Sequence, residues 1–306
     1  MKKLLLLIIW LSYYKASSQQ DSLQSNIITY DDKVATSISL QNFSDSFYYR
    51  FTYETKEYET LFTPNTKQRL VANINYKLIN INLGFTPHFL KTNDLKSKNL
   101  NFGIRFKQKQ WVQSINFVKQ KGFFAKIEDE NFYVPKLSTL KIGGTTSYVF
   151  NKKYSLGSLF NENEWQKKSA GSFIPNFSFY YTKLRDRDID SRSEIFTLSL
   201  APSYYYNFII FKKFLISTGV LFGAGINITD SEVYTIYELT TNIKIGYNSE
   251  RFFTYIVTNS NNYFEDSQQF QNSYITTKIS IGYRFNPPKK AKNLYNDALK
   301  HSPIKL

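Results

Sequence analysis

Residues 275–285 alternate apolar and polar side chains, interrupted only at Thr277. Ile275, Ile279, Ile281, Tyr283 and Phe285 fall on one face, and Thr276, Lys278, Ser280, Gly282 and Arg284 on the other. A period of two is that of an extended strand. An apolar face backed by a face with charges is a strand that has lipid on one side and a polar lumen on the other. The pattern predicts that Ile281 and Phe285 point outward and that Lys278 and Arg284 point inward. It also predicts that lysine is costly at Ile281 and harmless at Ser280, on the opposite face.

The same alternation recurs along the chain. Ile38 and Leu40 open a weak strand, and Phe47, Tyr49, Phe51 and Tyr53 share a face of a clearer one. Leu70, Ala72, Ile74 and Tyr76 alternate with polar residues, as do Ile79, Ile81, Leu83 and Phe85, then Leu100, Phe102, Ile104 and Phe106. After Phe150 the residues Asn151-Lys152-Lys153 read as a short turn from which Tyr154, Leu156 and Phe160 return as a strand. A second tight turn falls at 211–214. The polar stretches 119–136, 184–194 and 259–272 read as outer loops. From Val34 to Phe285 the chain runs 252 residues. At roughly 20 residues per strand and connection this predicts about 12 strands, with about 10 and 14 as competitors.

The fold class expected is therefore all-β, a transmembrane antiparallel β-barrel. A soluble sandwich of alternating strands is the competitor. It would need a dry interior, and Asn73, Asn75, Lys77, Arg105, Lys107, Lys278 and Arg284 are poor residues for one.

The ends of the chain divide it into four segments. Lys2 and Lys3 precede an apolar run at 4–11, followed by Ala16, Ser17 and Ser18. That is the form of a secretory signal peptide, read as residues 1–18 with cleavage after Ser18. The run is too short for a spanning helix, which needs ~20 residues; an uncleaved anchor is the alternative. Residues 19–33 read as a loose periplasmic lead-in, 34–285 as the barrel and 286–306 as a basic tail. Asn286-Pro287-Pro288 stops the sheet, because proline cannot donate to a ladder. Leu294, Tyr295, Ala298 and Leu299 would line one side of a short helix in that tail.

Composition sharpens this picture. Aromatic residues make up 18% of the chain, with 27 Phe and 24 Tyr, a weight that suits the two interfacial girdles of a barrel. There is no cysteine, which removes disulfides and thiolate chemistry together. The formal charge is +15, or +12 once Lys2, Lys3 and Lys15 leave with the leader. An exported barrel meets little nucleic acid, so the polyanions expected to face it are outer-membrane lipid and lipopolysaccharide. Lys91, Lys96, Lys98, Lys167, Lys168, Lys183, Arg185 and Arg187 are the basic residues placed in loops or strand ends, where plain solvation is the competing account.

Chemistry is harder to find. The histidines are His88 and His301, so a Ser-His or Asp-His arrangement in the barrel must use His88. No Gly-x-Ser-x-Gly elbow and no His-x-x-x-His spacing occurs. Asp186, Asp188 and Asp190 open a calcium-loop spacing, but Ser191 stands where its glycine belongs and Thr197 where its glutamate belongs. No cofactor, metal or catalytic residue is assigned. The expectation is a non-enzymatic barrel, an envelope scaffold or narrow channel. A barrel enzyme acting on lipid or lipopolysaccharide through His88, and a selective solute uptake channel, are the alternatives.

Two motifs carry a resemblance. Gly282, Tyr283 and Phe285 make a Gly-x-x-aromatic ending similar to the signal strand that outer-membrane barrels present to their insertion machinery, which makes that machinery an expected partner. An envelope protein is a further possible partner. Gln166, Lys168, Ser169, Ala170, Gly171, Ser172 and Phe173 follow an aromatic-Asn-x-Lys turn at 150–153. Here the chain resembles a family of bacterial, Bacteroidetes-type outer-membrane barrels known as domain-of-unknown-function family 4421. Lys121-Gly122-Phe123 is similar to a second landmark of that family. The resemblance implies an outer-membrane location and brings no activity. The small residues 169–172 permit close backbone approach, a bulge or a folded-in loop. Gln166 and Lys168 would then hydrogen-bond inside the lumen and plug it; a ligand or lipid-headgroup site at this turn is the alternative.

Overall fold

A computed structural model describes residues 26–53, 56–65, 67–77, 79–91, 95, 97–127, 129–160, 163–188, 190–229, 232–266, 270–290 and 292–293. The signal peptide and its cleavage point, and the apolar side of the tail helix, lie outside these residues. The described strands are β1 (Ile27–Thr29), β2 (Val34–Tyr53), β3 (Lys56–Pro64), β4 (Gln68–Tyr76), β5 (Ile79–Phe85), β6 (Lys98–Gln108), β7 (Trp111–Ile127) and β8 (Glu130–Tyr148). They continue as β9 (Glu164–Gln166), β10 (Ala170–Asp186), β11 (Ser191–Ile210), β12 (Phe214–Thr229), β13 (Glu232–Asn248), β14 (Phe252–Glu265) and β15 (Phe270–Phe285). One helical turn, α1 (Gly157–Phe160), lies between β8 and β9.

The wall is an antiparallel sheet that closes on itself where Phe285 of β15 stands opposite Val34 of β2. Closure removes the edges, so every wall strand finds a backbone partner on both sides without water, as lipid demands. β3 and β4 stand end to end as one wall strand: β3 pairs the later part of β2, and β4 the earlier part. Counted so, the barrel has twelve strands at the end that carries both termini, matching the expected number.

The other end is narrower. There β3 pairs directly with β7, while the shorter β5 and β6 have already turned back, leaving ten strands among the described residues. β7 changes neighbour at Lys121-Gly122-Phe123. It pairs β6 up to Lys121 and β3 from Phe123 onward, with a register shift between them. Gly122 holds a φ of 85°, a left-handed conformation that a side chain resists, and its carbonyl accepts a hydrogen bond from Asn65 N at 3.2 Å. The landmark is thus a bulge that lets the wall lose two strands.

Side-chain direction follows the alternation. Ile279, Ile281, Tyr283 and Phe285 are exposed on β15, whereas Thr276, Ser280 and Arg284 are buried. Ile38, Leu200, Val220, Phe222, Ile243 and Ile256 extend the apolar exterior around the barrel. The inner face carries Asn73, Asn75, Ser199, Asn227, Asn242 and Lys244, all buried. A dry sandwich is excluded by that polar interior.

Four expectations are corrected. The weak and the clear strand of 34–53 are one strand, and the face that Phe47 shares with Phe43 is the interior one. Inside, Phe47 stacks on Phe62 and meets the edge of Phe123 at 5.8 Å. The stretches 119–136, 184–194 and 259–272 are mostly strand, because Ser, Thr, Asn and Gln pair as well in a ladder above the membrane as apolar residues do within it. Ser280 is fully buried, its hydroxyl 2.7 Å from that of Ser39, so lysine there is not harmless. Finally, Tyr154 and Leu156 do not return as a strand; they fold into the barrel.

Candidate functional site

The connection 149–169, between β8 and β10, forms the site. Its apolar residues Val149, Tyr154, Leu156 and Leu159 lack a period of two, so no strand can place them all toward lipid. They bury instead against Val112, Ile174 and Tyr205 on the inner wall. α1 and β9 follow, and β9 pairs with β1 from the N-terminal lead-in, Ile28 opposite Trp165. Tyr30 and Trp165 bury together with Leu215. The described part of the lead-in is therefore tied into the barrel rather than loose.

Polar anchors reach this inward fold from all around the ring. Lys107 of β6 pairs with Glu164 at 2.5 Å, and Glu164 also accepts from the Ser155 hydroxyl at 2.6 Å. Asn207 of β11 donates to Ser155 O at 3.0 Å. Lys244 of β13 donates to Ser158 O at 2.8 Å and Leu159 O at 3.3 Å, satisfying carbonyls that the short helix leaves open. Trp165 donates to Lys212 O at 3.2 Å, in the β11–β12 turn. Asn248 donates to the Tyr30 hydroxyl at 2.9 Å, and the Arg284 guanidinium lies 3.9 Å over the Tyr30 ring. Contacts with β6, β7, β10, β11, β13 and β15 mean that the described residues of 149–169 and of the lead-in cross the lumen at the end where β2 begins and β15 stops. They form a plug.

Gln166 sits at the centre of that plug with no exposed surface. Its amide donates to Lys153 O at 2.7 Å, Lys168 O at 2.9 Å and Asn26 O at 3.4 Å. Its carbonyl accepts from Ser155 N at 2.7 Å and Asn207 Nδ2 at 3.4 Å. Ser172, also buried, accepts from Asn151 N at 3.0 Å, and Asn151 Nδ2 donates to Gly171 O at 2.7 Å. A Cβ on Gly171 would lie 2.5 Å from the Tyr204 hydroxyl, so the close approach there needs glycine. Ser169 is exposed and accepts from Ile209 N at 3.0 Å. The Lys168 side chain is exposed, and only its carbonyl joins the Gln166 network. The structure thus gathers Gln166, Gly171 and Ser172 and leaves the Lys168 side chain outside. Alternation had placed Lys107 and Arg284 on the inner face without assigning them partners, while Glu164 and Lys244 were missed; a tryptophan between Glu164 and Gln166 in a polar stretch was the available signal.

Beyond the plug lies a cavity of about 520 Å³ lined largely by amides and hydroxyls. Arg69 spans part of it, donating to Gln41, Asn99 and the Tyr274 hydroxyl at 2.8, 3.0 and 2.8 Å. Lys141 lies 4.8 Å over the Tyr180 ring and 5.1 Å over Tyr263. Among the described residues no group of three His, Cys, Asp or Glu side chains could hold a metal ion. His88 is exposed in a 3-10 turn at 88–90. In the calcium-like stretch Asp186 caps Asp188 N at 2.9 Å, and Asp188 pairs with Lys136 at 2.5 Å.

A closed antiparallel wall with an apolar exterior, a polar interior and an inward-folded connection defines a β-barrel of the outer-membrane type. The sequence profile described as Domain of unknown function (DUF4421) matches residues 20–285, and the chain belongs to that family. No curated protein matches it in sequence. Among solved structures it is similar to OmpT, an outer membrane protein of Vibrio cholerae, at 6% identity, with 82% of this chain and 98% of that one covered and a TM-score of 0.33. The outer membrane protease OmpT of Escherichia coli is 9% identical, with 84% and 98% covered and a TM-score of 0.35. The anion-selective porin from Comamonas acidovorans is 8% identical, with 82% and 99% covered and a TM-score of 0.30. Likeness at this level adds no activity to the fold.

Proposed function

We propose that this protein is a non-enzymatic outer-membrane barrel occluded at its periplasmic end, an envelope scaffold rather than an open diffusion channel. The observation that carries the reading is the plug, which is anchored to strands on all sides of the lumen. The termini end is periplasmic in this reading: there the apolar exterior reaches the strand ends, whereas β8, β10 and β11 run on past it at the other end in charged residues. The chain reaches the membrane after cleavage of residues 1–18, and Gly282, Tyr283 and Phe285 engage the insertion machinery.

Planar-bilayer recording tests the occlusion. The wild-type barrel is expected to insert without steady conductance. Replacing residues 151–168 by a short polar linker should open a pore while the barrel keeps its heat-modifiable shift on gels. A steady ohmic conductance from the wild-type protein would overturn the reading.

A further inference from the structure

We propose that the periplasmic rim is a cationic collar that gathers anionic phospholipid headgroups in the adjacent leaflet. The proposal rests on the membrane-spanning orientation and is independent of whether the plug is closed.

Basic residues stand at every chain connection of that rim. Lys77 and Lys109 occupy the β4–β5 and β6–β7 turns, each with a left-handed φ of 51° and 55°. Lys152 and Lys153 open the plug connection, and Lys167 and Lys168 close it. Lys212 and Lys213 form the β11–β12 turn, and Arg251 lies in the β13–β14 turn. Lys289, Lys290 and Lys292 follow β15. Against them stand Asp31, Asp32 and Glu250 as exposed acids. Among the described residues no carboxylate lies within ion-pair distance of Lys152, Lys153, Lys212 or Lys213.

The opposite rim differs. There Lys126, Lys136 and Lys183 pair with Asp129, Asp188 and Glu194, and Arg192 also pairs with Glu194. Those four basic residues are neutralised by carboxylates, whereas Lys152, Lys153, Lys212 and Lys213, among the described residues, are not. The collar also shares its depth with an aromatic girdle. Trp111, Tyr148, Phe150 and Phe173 run ring to ring at 4.9, 5.1 and 5.7 Å, and Phe211 projects beside Lys212. Aromatic girdles mark the headgroup level. Ammonium groups spread around the whole circumference at that level suit a ring of phosphate headgroups. An acidic protein would meet one side or the base.

The test uses the folded mature chain in nanodiscs of phosphatidylcholine mixed with phosphatidylglycerol, with photoactivatable analogues of each lipid. Phosphatidylglycerol should label peptides of the 149–153, 167–169 and 211–213 regions about tenfold more than phosphatidylcholine at low salt. The ratio should fall toward unity as salt screens the surface charge. The quadruple variant Lys152→Gln, Lys153→Gln, Lys212→Gln, Lys213→Gln should lose most of the preference, and Lys126→Gln with Arg185→Gln and Arg187→Gln should keep it. If the quadruple variant does not fold, its two lysine-pair variants read the same loss separately. Equal labelling by both lipids, labelling concentrated at the opposite rim, or equal loss in the collar and far-rim variants would overturn the proposal.

Discussion

Replacing Gln166 by methionine keeps its volume and removes its hydrogen bonds. Three strong bonds are lost: to Lys153 O at 2.7 Å, to Lys168 O at 2.9 Å and from Ser155 N at 2.7 Å. A buried hydrogen bond contributes about 1 kcal/mol net, and an orphaned buried group such as the Ser155 amide costs roughly 1–3 kcal/mol. The expected loss is about 3–5 kcal/mol. It falls on the plug rather than the wall, because the ladder of strands closes without Gln166. At 1.4 kcal/mol per factor of ten, the open plug should become roughly 10² to 4 × 10³ times more populated. Hydrogen exchange of amides in 151–168 reads this directly, with bilayer recording for transient openings. Lys168→Ala serves as the control, since that side chain is exposed, and should leave both signals unchanged. If Gln166→Met exchanged like the wild type, the network would not hold the plug and the argument would fail.

Three further outcomes follow from the geometry. Gly282→Ala should destabilise the barrel by about 1–3 kcal/mol, since its Cβ would lie 2.1 Å from Phe253 Cζ; thermal loss of the gel shift measures it, and Phe253→Leu should restore part of the loss. Ile281→Lys should cost up to roughly 2–4 kcal/mol, less toward the rim, in vesicle-folding titrations, because the residue is 61% exposed on the lipid face; equal tolerance of lysine and isoleucine there would refute the face assignment. Lys107→Met strands the Glu164 carboxylate, now 13% exposed, and should raise exchange in 155–166 while Lys107→Arg largely preserves protection; no difference between the two would show that the pair is not an anchor.

The period-two pattern was sufficient for the wall. Lipid outside and polar lumen inside are both local demands, so Ile279, Ile281 and Arg284 declare their faces to anyone counting by twos. The number of strands followed from length, since a bilayer sets how far each must run. Polarity alone misled at 119–136 and 259–272, because backbone pairing continues above the membrane whatever the side chains are. Phe47 shows the complementary limit: alternation says that residues share a face, and only closure of the ring says which face is inside. The Gln166–Phe173 run was visible as a motif, yet its meaning came from partners distant in the chain, Asn26, Lys153 and Asn207 around one amide. The bulge at Gly122 likewise shows its purpose only where β7 exchanges β6 for β3. Where one face is apolar and the other charged, as in β15, strand character and lipid face were therefore determined by the sequence itself, since each depends on neighbours two residues away. The plug, the narrowing and the cationic rim were decided by tertiary structure, because each depends on which distant strands the closing barrel brings together.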